Sequence, residues 1–545
     1  MTSTTGRVPA QARRVARDVF GHPGLRPGQA EALVPLLEGH DVLMVSATGS
    51  GKSLVYQVAG VLTPGCTLLV SPLLALQQDQ LDGLPEDRRT AGARLSSAET
   101  PAQRRTALEA AVHGDVEFLA VSPEQLANDE VRERLAAVRP SLVAVDEAHC
   151  VSSWGHDFRP DYLRLGELVA ELGQPRLLAL TATAAGPVRE EIVERLHLDR
   201  PVVVVTGFDR PNLALRVERC ADPDDQRGRV LAEVQSSPGA GIVYCRTRRS
   251  AEEHARLLAE AGVRTAVYHA GLGARRRRKT HEAFRSGDVD VVVATSAFGM
   301  GIDKADVRLV LHAQVPESLD TYYQEAGRAG RDGEPARAVL LYRPEDLSLG
   351  RFFSGGVPSR DDVAAVVRAA SRVDPGDRQA VQAATGLGPR KAGRLLNLRQ
   401  DVLNAPHPPQ RPEEVVDAML ERAEAHRAWQ RTRVEQVRAY AESDRCRAEL
   451  LLGYFGERLP EPCGRCDRCE AGTAEQARQR TPTEGTADVG AQVVHRSFGP
   501  GSVVDVDGDE LTVLFDRAGY RTLDAEVVRD RGLLCEADPG ECPAS

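Results

Sequence analysis

The chain has 545 residues, 42% of them hydrophobic, which predicts three or four domains with real cores. Its net charge of −10 argues against a surface that attracts nucleic acid everywhere and leaves room for a local basic channel. No apolar stretch approaches the roughly 18 residues that span a bilayer, so a soluble protein is expected; ten cysteines, four of them close together, fit a reducing compartment with one metal site better than a disulfide framework.

Phe20 to Gln29 (F-G-H-P-G-L-R-P-G-Q) is a turn-rich entry to a helix-like segment, Ala30 to Leu37, with Arg26 and Gln29 able to read a base edge. Leu43 to Ser53 then reads as strand, glycine-rich loop and helix. In S-A-T-G-S-G-K-S, Ser46 stands where a phosphate loop usually opens with glycine. Thr48, Gly49, Ser50 and Gly51 curl the backbone so that N–H groups converge on phosphate oxygens, and the helix adds its positive end. Lys52 reaches the β and γ phosphates, and Ser53 offers a hydroxyl to Mg²⁺. Only four of the 69 basic residues are lysines (Lys52, Lys279, Lys304 and Lys391). Lys52 therefore stands out as a compact ammonium that a planar guanidinium cannot replace.

Thr67 to Val70, ending in Ser71-Pro72-Leu73, and Val116 to Val121, ending in Ser122-Pro123-Glu124, are β-like runs whose ends are placed either to touch a ligand or simply to turn the chain. Leu142 to Val145 is a buried strand that delivers Asp146 and Glu147. Asp146 can hold Mg²⁺ through its water shell, and Glu147 can orient and deprotonate an attacking water. In the loop that follows, Trp154, His156, Phe158 and Arg159 lie among turn residues. They can stack on unpaired bases, at roughly 1–3 kcal/mol per base, or form a satellite core under the loop. Leu177 to Leu180 leads to Thr181 and Thr183. Alternating apolar and helical segments from Gly39 to Val205 predict a parallel, doubly wound α/β domain.

A second α/β unit begins near Phe208 to Asn212, with strands at Gly241 to Cys245, before Tyr268 to Leu272, and at Val291 to Ala294. Arg275 to Lys279 form a basic cluster, either facing phosphate or a solvated helix face. In Q-E-A-G-R-A-G-R-D-G, from Gln324 to Gly333, Arg328 and Arg331 are expected three apart on one helical face. This unit has no phosphate loop, so the pair is expected to complete the first unit's site. There an arginine supplied across the cleft is worth roughly 10³ or more in rate.

Asp361 to Ala370, Gln379 to Thr385, Pro389 to Leu403 and Glu413 to Ala425 read as four helices. Thr385 to Leu396 has the pattern of a helix-turn-helix or winged helix that would set Arg390, Lys391 and Arg394 on phosphate; a purely structural spacer is the other reading. Cys446, Cys463, Cys466 and Cys469 supply four thiolates suited to a closed, tetrahedral Zn²⁺ site. Glu470 to Asp488 is a patternless linker. Val494 to Val528 alternates short strands with Gly499-Pro500-Gly501 and Asp507-Gly508-Asp509 turns, predicting a small β-barrel.

F-G-x-x-x-L-R-P-G-Q, S-A-T-G-S-G-K-S and W-G-H-D-F-R-P resemble the RecQ family of superfamily 2 ATP-dependent DNA helicases, over residues 20 to 350 and 426 to 470. The resemblance implies an ATP-binding RecA-like lobe at 1–205 and a second at 206–350. A helical or winged-helix-like insert follows at 351–425, where the family generally has only a short helical stretch. A zinc-binding subdomain at 426–472 and a linker at 473–488 come next. A weaker likeness to the Tudor- or SH3-like tails of some bacterial helicases implies a barrel at 489–535 that docks a protein partner. The resemblance further implies Arg26 and Gln29 on adenine, Gln324 beside Arg328 and Arg331 in catalysis, and Trp154, His156, Phe158 and Arg159 coupling single-stranded DNA to ATP hydrolysis. Thr181 and Thr183 would link the nucleotide and DNA sites. ATP, Mg²⁺ and Zn²⁺ are the implied cofactors, and single-stranded or 3′-tailed duplex DNA the implied partner. The expectation is a bacterial short form without the usual C-terminal winged helix and HRDC domain, cytoplasmic and nucleoid-associated. Its implied function is 3′–5′ unwinding in DNA repair and recombination. Because the strand-separating hairpin of that winged helix is missing, a DNA-dependent ATPase that clamps or remodels without strand separation, working mainly as a partner-binding module, stays open.

Overall fold

The computed structural model describes residues 9–47, 49–72, 77, 80, 81, 84, 92–96, 98–152, 162, 165–299, 304–347, 357–375, 377–405, 408–457, 459–479, 491–507, 510–515 and 519–536. In the first lobe, short runs of Val, Leu and Ala form β1 (Val42–Ser46), β2 (Thr67–Val70), β3 (Gly92–Leu95), β4 (Phe118–Val121), β5 (Leu142–Val145), β6 (Arg176–Thr181) and β7 (Val202–Thr206). β1, β2, β4 and β5 are buried along their whole length, as expected of parallel strands covered by helices on both faces. The sheet order is β3-β4-β2-β5-β6-β1-β7 and every pairing is parallel. Since β5, β6 and β1 are neighbours, with Val145 beside Ala179 and Val45 beside Thr181, the loops after all three leave at one carboxyl edge. That is the edge where open α/β sheets bind ligands.

The second lobe repeats the plan with β8 (Leu213–Arg219), β9 (Ala240–Tyr244), β10 (Thr265–Tyr268), β11 (Val291–Ala294), β12 (Val307–His312) and β13 (Ala336–Tyr342), ordered β10-β11-β9-β12-β13-β8 and again all parallel. The expected tandem of doubly wound lobes is present. One local expectation is corrected. The helix Leu319–Ala326 stops at Gly327, so Arg328 and Arg331 stand in the turns beyond it and not on a helical face. The cap Gly327 is still right-handed (φ −64, ψ −2), and the chain turns left-handed only at Gly330 (φ 61), within those turns.

The insert consists of helices Arg360–Ala370, Arg378–Thr385, Pro389–Leu403 and the start of Pro412–Glu442, around a core of Val363, Val366, Val381, Leu395 and Met419. Among the described residues from 343 to 491 there is no strand, so no wing accompanies Thr385 to Leu396. Lys391 of that stretch pairs with Asp362 at 2.6 Å. The fourth helix does not end at Ala425 as expected. No glycine or proline interrupts it after Pro412, and Trp429, Val434, Val437 and Tyr440 continue its buried face, so it runs for 31 residues into the zinc region. Insert and zinc module thus share one helix.

That helix touches both lobes. Arg422 bonds Asp401 (Nε to Oδ2, 3.0 Å) and Glu191 (Nη2 to Oε1, 2.6 Å), and Arg195 bonds the same two carboxylates. The four side chains form an alternating ring between the lobe 1 helix Gly186–Arg195 and the insert, with both carboxylates nearly buried. Further along, Arg433 donates to Ser318 Oγ of lobe 2 at 2.7 Å, and Tyr440 packs on Tyr322 with ring centroids 5.4 Å apart.

In the segment expected to be a linker, Thr473–Gln479 is helical, and 480–490 lie outside the described residues. Beyond it β14 (Gln492–His495), β15 (Gly499–Asp507), β16 (Glu510–Phe515), β17 (Gly519–Asp524) and β18 (Leu534–Glu536) form an antiparallel sheet ordered β17-β16-β15-β14-β18 on a small core of Val493, Val503, Val513 and Phe515. Among the described residues β17 and β18 are the edge strands of this one five-stranded sheet.

The seating of Gly186–Arg195 depends on Gly166, where a methyl group would lie 2.2 Å from the Arg195 carbonyl oxygen. Gly166→Ala should cost about 1–3 kcal/mol through overpacking, read as a lowered midpoint in thermal unfolding of the intact chain.

Candidate nucleotide and metal sites

Gly49 and Gly51, at φ 82 and 80, adopt the left-handed conformation that the phosphate-loop reading requires. At Gly51 a Cβ would also come within 2.6 Å of Gln29 Nε2. Gln29 Nε2 donates to the carbonyls of Ser50 (3.1 Å) and Gly51 (2.9 Å), its Oε1 accepts from the Arg26 N–H (2.9 Å), and Arg26 Nη1 donates to the Gly49 carbonyl (3.0 Å). The two residues expected on adenine here clasp the loop that would hold the phosphates. Lys52 Nζ donates to the carbonyls of Ser46 (2.7 Å) and Ala47 (3.0 Å), and Ser53 opens the following helix. Thr48 lies outside the described residues.

Burial of its amino end pushes Lys52 below the ordinary lysine range. Glu147 and Asp146 pull it back up, and Arg331 of lobe 2 pushes it further down. Lobe 2's arginine thus acts on lobe 1's lysine across the cleft. An ammonium bonded, among the described residues, to neutral carbonyls and subject to the charge of a second cation fits a polyanion such as a triphosphate.

Asp146 is 8% exposed. Burial and the neighbouring Glu147 push it up to about 6, against the pull of Lys52, the Glu147 N–H and Gln80. Gln80 Nε2 donates to Oδ2 at 2.6 Å, the Glu147 N–H donates to Oδ1 at 2.9 Å, and the Tyr162 hydroxyl donates to the Asp146 carbonyl at 3.3 Å. A nearly buried carboxylate at the sheet's carboxyl edge fits a hydrated Mg²⁺, which Asp146 would hold. Glu147 is itself left-handed (φ 49, ψ 46), an uncommon conformation for a non-glycine residue that aims its side chain back toward His149. His149 Nδ1 lies 3.3 Å from Glu147 Oε2 and 3.0 Å from Thr181 Oγ1. The Thr181 hydroxyl donates to the Thr183 carbonyl at 3.0 Å, so its oxygen accepts and Nδ1 carries the proton. Glu147, His149, Thr181 and Thr183 form one connected line.

In lobe 2, Arg328 is buried against the Tyr244 phenol, which donates to the Phe298 carbonyl at 2.7 Å. Gln324 lies on the last turns of Leu319–Ala326. The structure therefore sets Lys52, Asp146 and Glu147 at one edge of the lobe 1 sheet, and the charge of Arg331 in lobe 2 is felt at Lys52. Trp154, His156, Phe158 and Arg159 lie outside the described residues, although Ser152, just before them, donates to Glu191 of the ion-pair ring. Sequence reasoning gave no role to His149, Gln80 or Tyr162. His149 was signalled by its place after Asp146-Glu147-Ala148, whereas nothing in the spacing pointed to the other two.

The Sγ atoms of Cys446, Cys463, Cys466 and Cys469 all lie within 4.8 Å of one another. Tetrahedral Zn–S bonds of about 2.3 Å require sulfurs about 3.8 Å apart, and Cys463 and Cys469 stand at 3.9 Å. Backbone N–H groups already point at sulfur, Cys463 to Cys446 at 3.2 Å and Arg447 to Cys466 at 3.5 Å, as suits thiolates. The four residues fit a closed structural zinc ion. Cys446 caps the helix Arg447–Tyr454. Cys466→Ser, or a strong chelator, should release one zinc per chain by metal analysis and lower thermal stability by several kcal/mol.

Asp146 makes a second prediction. Its folded value lies above its ordinary 3.8, so the nucleotide-free fold is favoured while Asp146 carries a proton and loses stability as pH rises through about 6. Asp146→Asn should therefore stabilise the nucleotide-free protein at pH 7.5, on the order of 2 kcal/mol, with the gain fading by pH 4 in thermal melts.

The DEAD/DEAH box helicase family matches residues 26–192, the helicase conserved C-terminal domain 226–333 and the RecQ zinc-binding family 410–470. The ATP-dependent DNA helicase RecQ of Haemophilus influenzae is 36% identical over 459 residues, covering 84% of this chain and 63% of that protein. RecQ of Pasteurella multocida is likewise 36% identical, and the chain spans 61% of its length. The probable ATP-dependent DNA helicase RecS of Bacillus subtilis is 34% identical over 491 residues, 88% of this chain and 96% of that one. Among solved structures, the Mycobacterium smegmatis helicase Lhr bound to ssDNA and AMP-PNP shares the fold at a TM-score of 0.50 and 24% identity, over 72% of this chain and 58% of its own. The DUF1998 helicase MrfA bound to DNA does so at 0.51 and 17%, over 62% and 51%. With two parallel α/β lobes, a four-thiolate module matching the RecQ zinc-binding family, and a relative of nearly equal length at that identity, the chain belongs to the RecQ family of ATP-dependent DNA helicases.

Proposed function

We propose that the chain is an ATP-dependent 3′–5′ DNA helicase of the RecQ type, acting on single-stranded or 3′-tailed DNA in repair and recombination. The observation that carries this reading is the left-handed glycine loop with Lys52 bonded to its carbonyls, set at the same sheet edge as Asp146 and Glu147; the charge of Arg331 from the other lobe is felt at Lys52. In this reading the N–H groups of residues 48–51 and Lys52 hold the phosphates, and Arg26 and Gln29 turn to adenine. Ser53 and Asp146 hold Mg²⁺, which when bound neutralises phosphate charge. Glu147 orients the attacking water and takes its proton, while Arg328 and Arg331, with Gln324 beside them, stabilise charge on the transferred phosphoryl group. Trp154, His156, Phe158 and Arg159 stack on unpaired bases, and Thr181 and Thr183 pass DNA contact to Glu147 through His149. Zinc holds its module without taking part in chemistry. The C-terminal sheet, closed as a Tudor- or SH3-like barrel, docks a protein partner, and the protein works in the cytoplasm at the nucleoid.

A second reading, an ATPase that clamps or remodels DNA without parting strands, is favoured by one observation: the insert is purely helical among its described residues, with no β-hairpin to split a duplex. A forked duplex with a 3′ tail separates the two. The helicase releases a strand when ATP is supplied and does not do so on a 5′-tailed fork, whereas the clamp consumes ATP and releases none. Lys52→Ala should abolish both activities, and Arg331→Ala should lower DNA-stimulated turnover by about 10³-fold with nucleotide still bound.

A further inference from the structure

We propose that Arg210, in the segment joining the two lobes, is the positioning residue that holds Arg331 at the nucleotide site, with Asn212 as its second clamp. The inference rests on reading Arg331 as the charge supplied across the cleft.

The chain leaves β7 at Thr206 and enters β8 at Leu213. Between them Arg210 turns its guanidinium onto the turn that follows helix Leu319–Ala326. Nη1 donates to the Gly327 carbonyl at 3.2 Å, and Nη2 donates to those of Ala329 and Gly330 at 2.9 Å each. Asn212 Nδ2 donates to the carbonyls of Gly330 (2.7 Å) and Glu334 (2.8 Å). Gly327 caps the helix, where a carbonyl lacks a partner inside the helix and a cation is favoured by its dipole, and the Ala329 and Gly330 carbonyls lie in the turns beyond it. Here one planar fork takes three carbonyls, those of Gly327, Ala329 and Gly330, within the residues 327–331 that carry Arg328 and Arg331. A lysine has no such fork.

Two further observations mark this as more than a surface cap. Arg210 is half-buried, and no carboxylate pairs with it among the described residues, so its charge is engaged by these carbonyls. The turn has no slack either: a Cβ at Gly330 would meet Asn212 Nδ2 at 2.5 Å, the Glu334 carbonyl at 2.9 Å and Ala336 Cβ at 3.0 Å. The segment itself is fastened from the other side. Phe208 stacks on Phe455 of the zinc module at 4.6 Å and 10°, its N–H donates to Glu457 at 2.7 Å, and its carbonyl accepts from the Tyr323 hydroxyl at 2.8 Å. Asp209 pairs with Arg465, two residues from zinc ligand Cys463. The covalent join between the lobes is thereby the support of the arginine that one lobe lends to the other.

The test is DNA-stimulated ATP turnover of the intact, zinc-loaded chain. Arg210→Ala should lower kcat by about 10²-fold, the cost of a misplaced catalytic group, while the KM for ATP changes less than about threefold because the cradle on lobe 1 is untouched. Arg210→Lys should recover less than about tenfold of the loss. The Arg210→Ala/Arg331→Ala pair should be no slower than Arg331→Ala alone within about threefold, as expected if one residue acts through the other. Zinc content and binding of a fluorescent ATP analogue report that the fold is intact. If Arg210→Ala does not fold, Asn212→Ala carries the same test with a loss of about tenfold. Near-normal turnover of Arg210→Ala beside a crippled Arg331→Ala, or losses that multiply in the pair, overturns the positioning role. Full activity of Arg331→Ala removes the reading beneath it instead, and the inference with it.

Discussion

A lysine ammonium deprived of much of its water, held by two neutral carbonyls and faced by an arginine from the other lobe, is the interaction on which the molecule turns. Two cations in one cleft repel, and two adjacent carboxylates in the same cleft, one of them raised toward neutrality by burial, repel as well. Neither pair is at ease in the protein alone. The arrangement is matched to charges that the protein does not contain, namely a chain of phosphates and a divalent cation. That is the sense in which such a site is preorganised. The sheet order makes it possible, since β1, β5 and β6 must be neighbours for lysine, acids and threonines to share one edge.

Much of this was legible in the sequence because it is written locally. A parallel strand covered on both sides has to be a continuous apolar run, and Val42 to Val45, Leu142 to Val145 and Val291 to Ala294 read as such. A phosphate loop needs left-handed residues, and glycines supply them at 49 and 51. Three cysteines at two-residue intervals announce a metal. What was not legible depends on contacts between distant segments or on where an element stops. Gln80 reaches Asp146 across 66 positions. The helix before Arg328 ends at Ala326, and the turns beyond it are held by Arg210 and Asn212 from a distant segment of the chain. The helix through residue 425 continues because its buried face passes from the insert's core to lobe 2 without a break in pattern, and no spacing rule marks that change of partner.

The zinc module gains a place in this scheme from its neighbours rather than from its metal. Its four cysteines are buried or half-buried, and the helix that Cys446 caps presents Phe455 to Phe208 and, through the following loop, Glu457 to the Phe208 N–H. A module that looks like a structural appendage therefore sits against the join between lobes. Rings stacked at 4.6 Å within a buried cluster that includes Tyr323 form a stiff contact, with aromatic attraction added to the area they remove from water.

The helix Pro412–Glu442 has the mechanical character of a beam. At 31 residues it is about 46 Å long. Its first half is bolted to lobe 1 through Arg422 in a ring of four charges, and its second half to lobe 2 through Arg433 and Tyr440. Lobes tied by such a beam cannot change their angle for free. Any stroke must bow the helix, slide its far anchor or part the ring, and parting the ring would leave each nearly buried carboxylate with one guanidinium in place of two, Glu191 with Arg195 and Asp401 with Arg422. Glu191 also holds Ser152 at the foot of the aromatic loop, so the same rupture would be felt where unpaired bases are expected to lie. The beam thus turns a hinge into a spring.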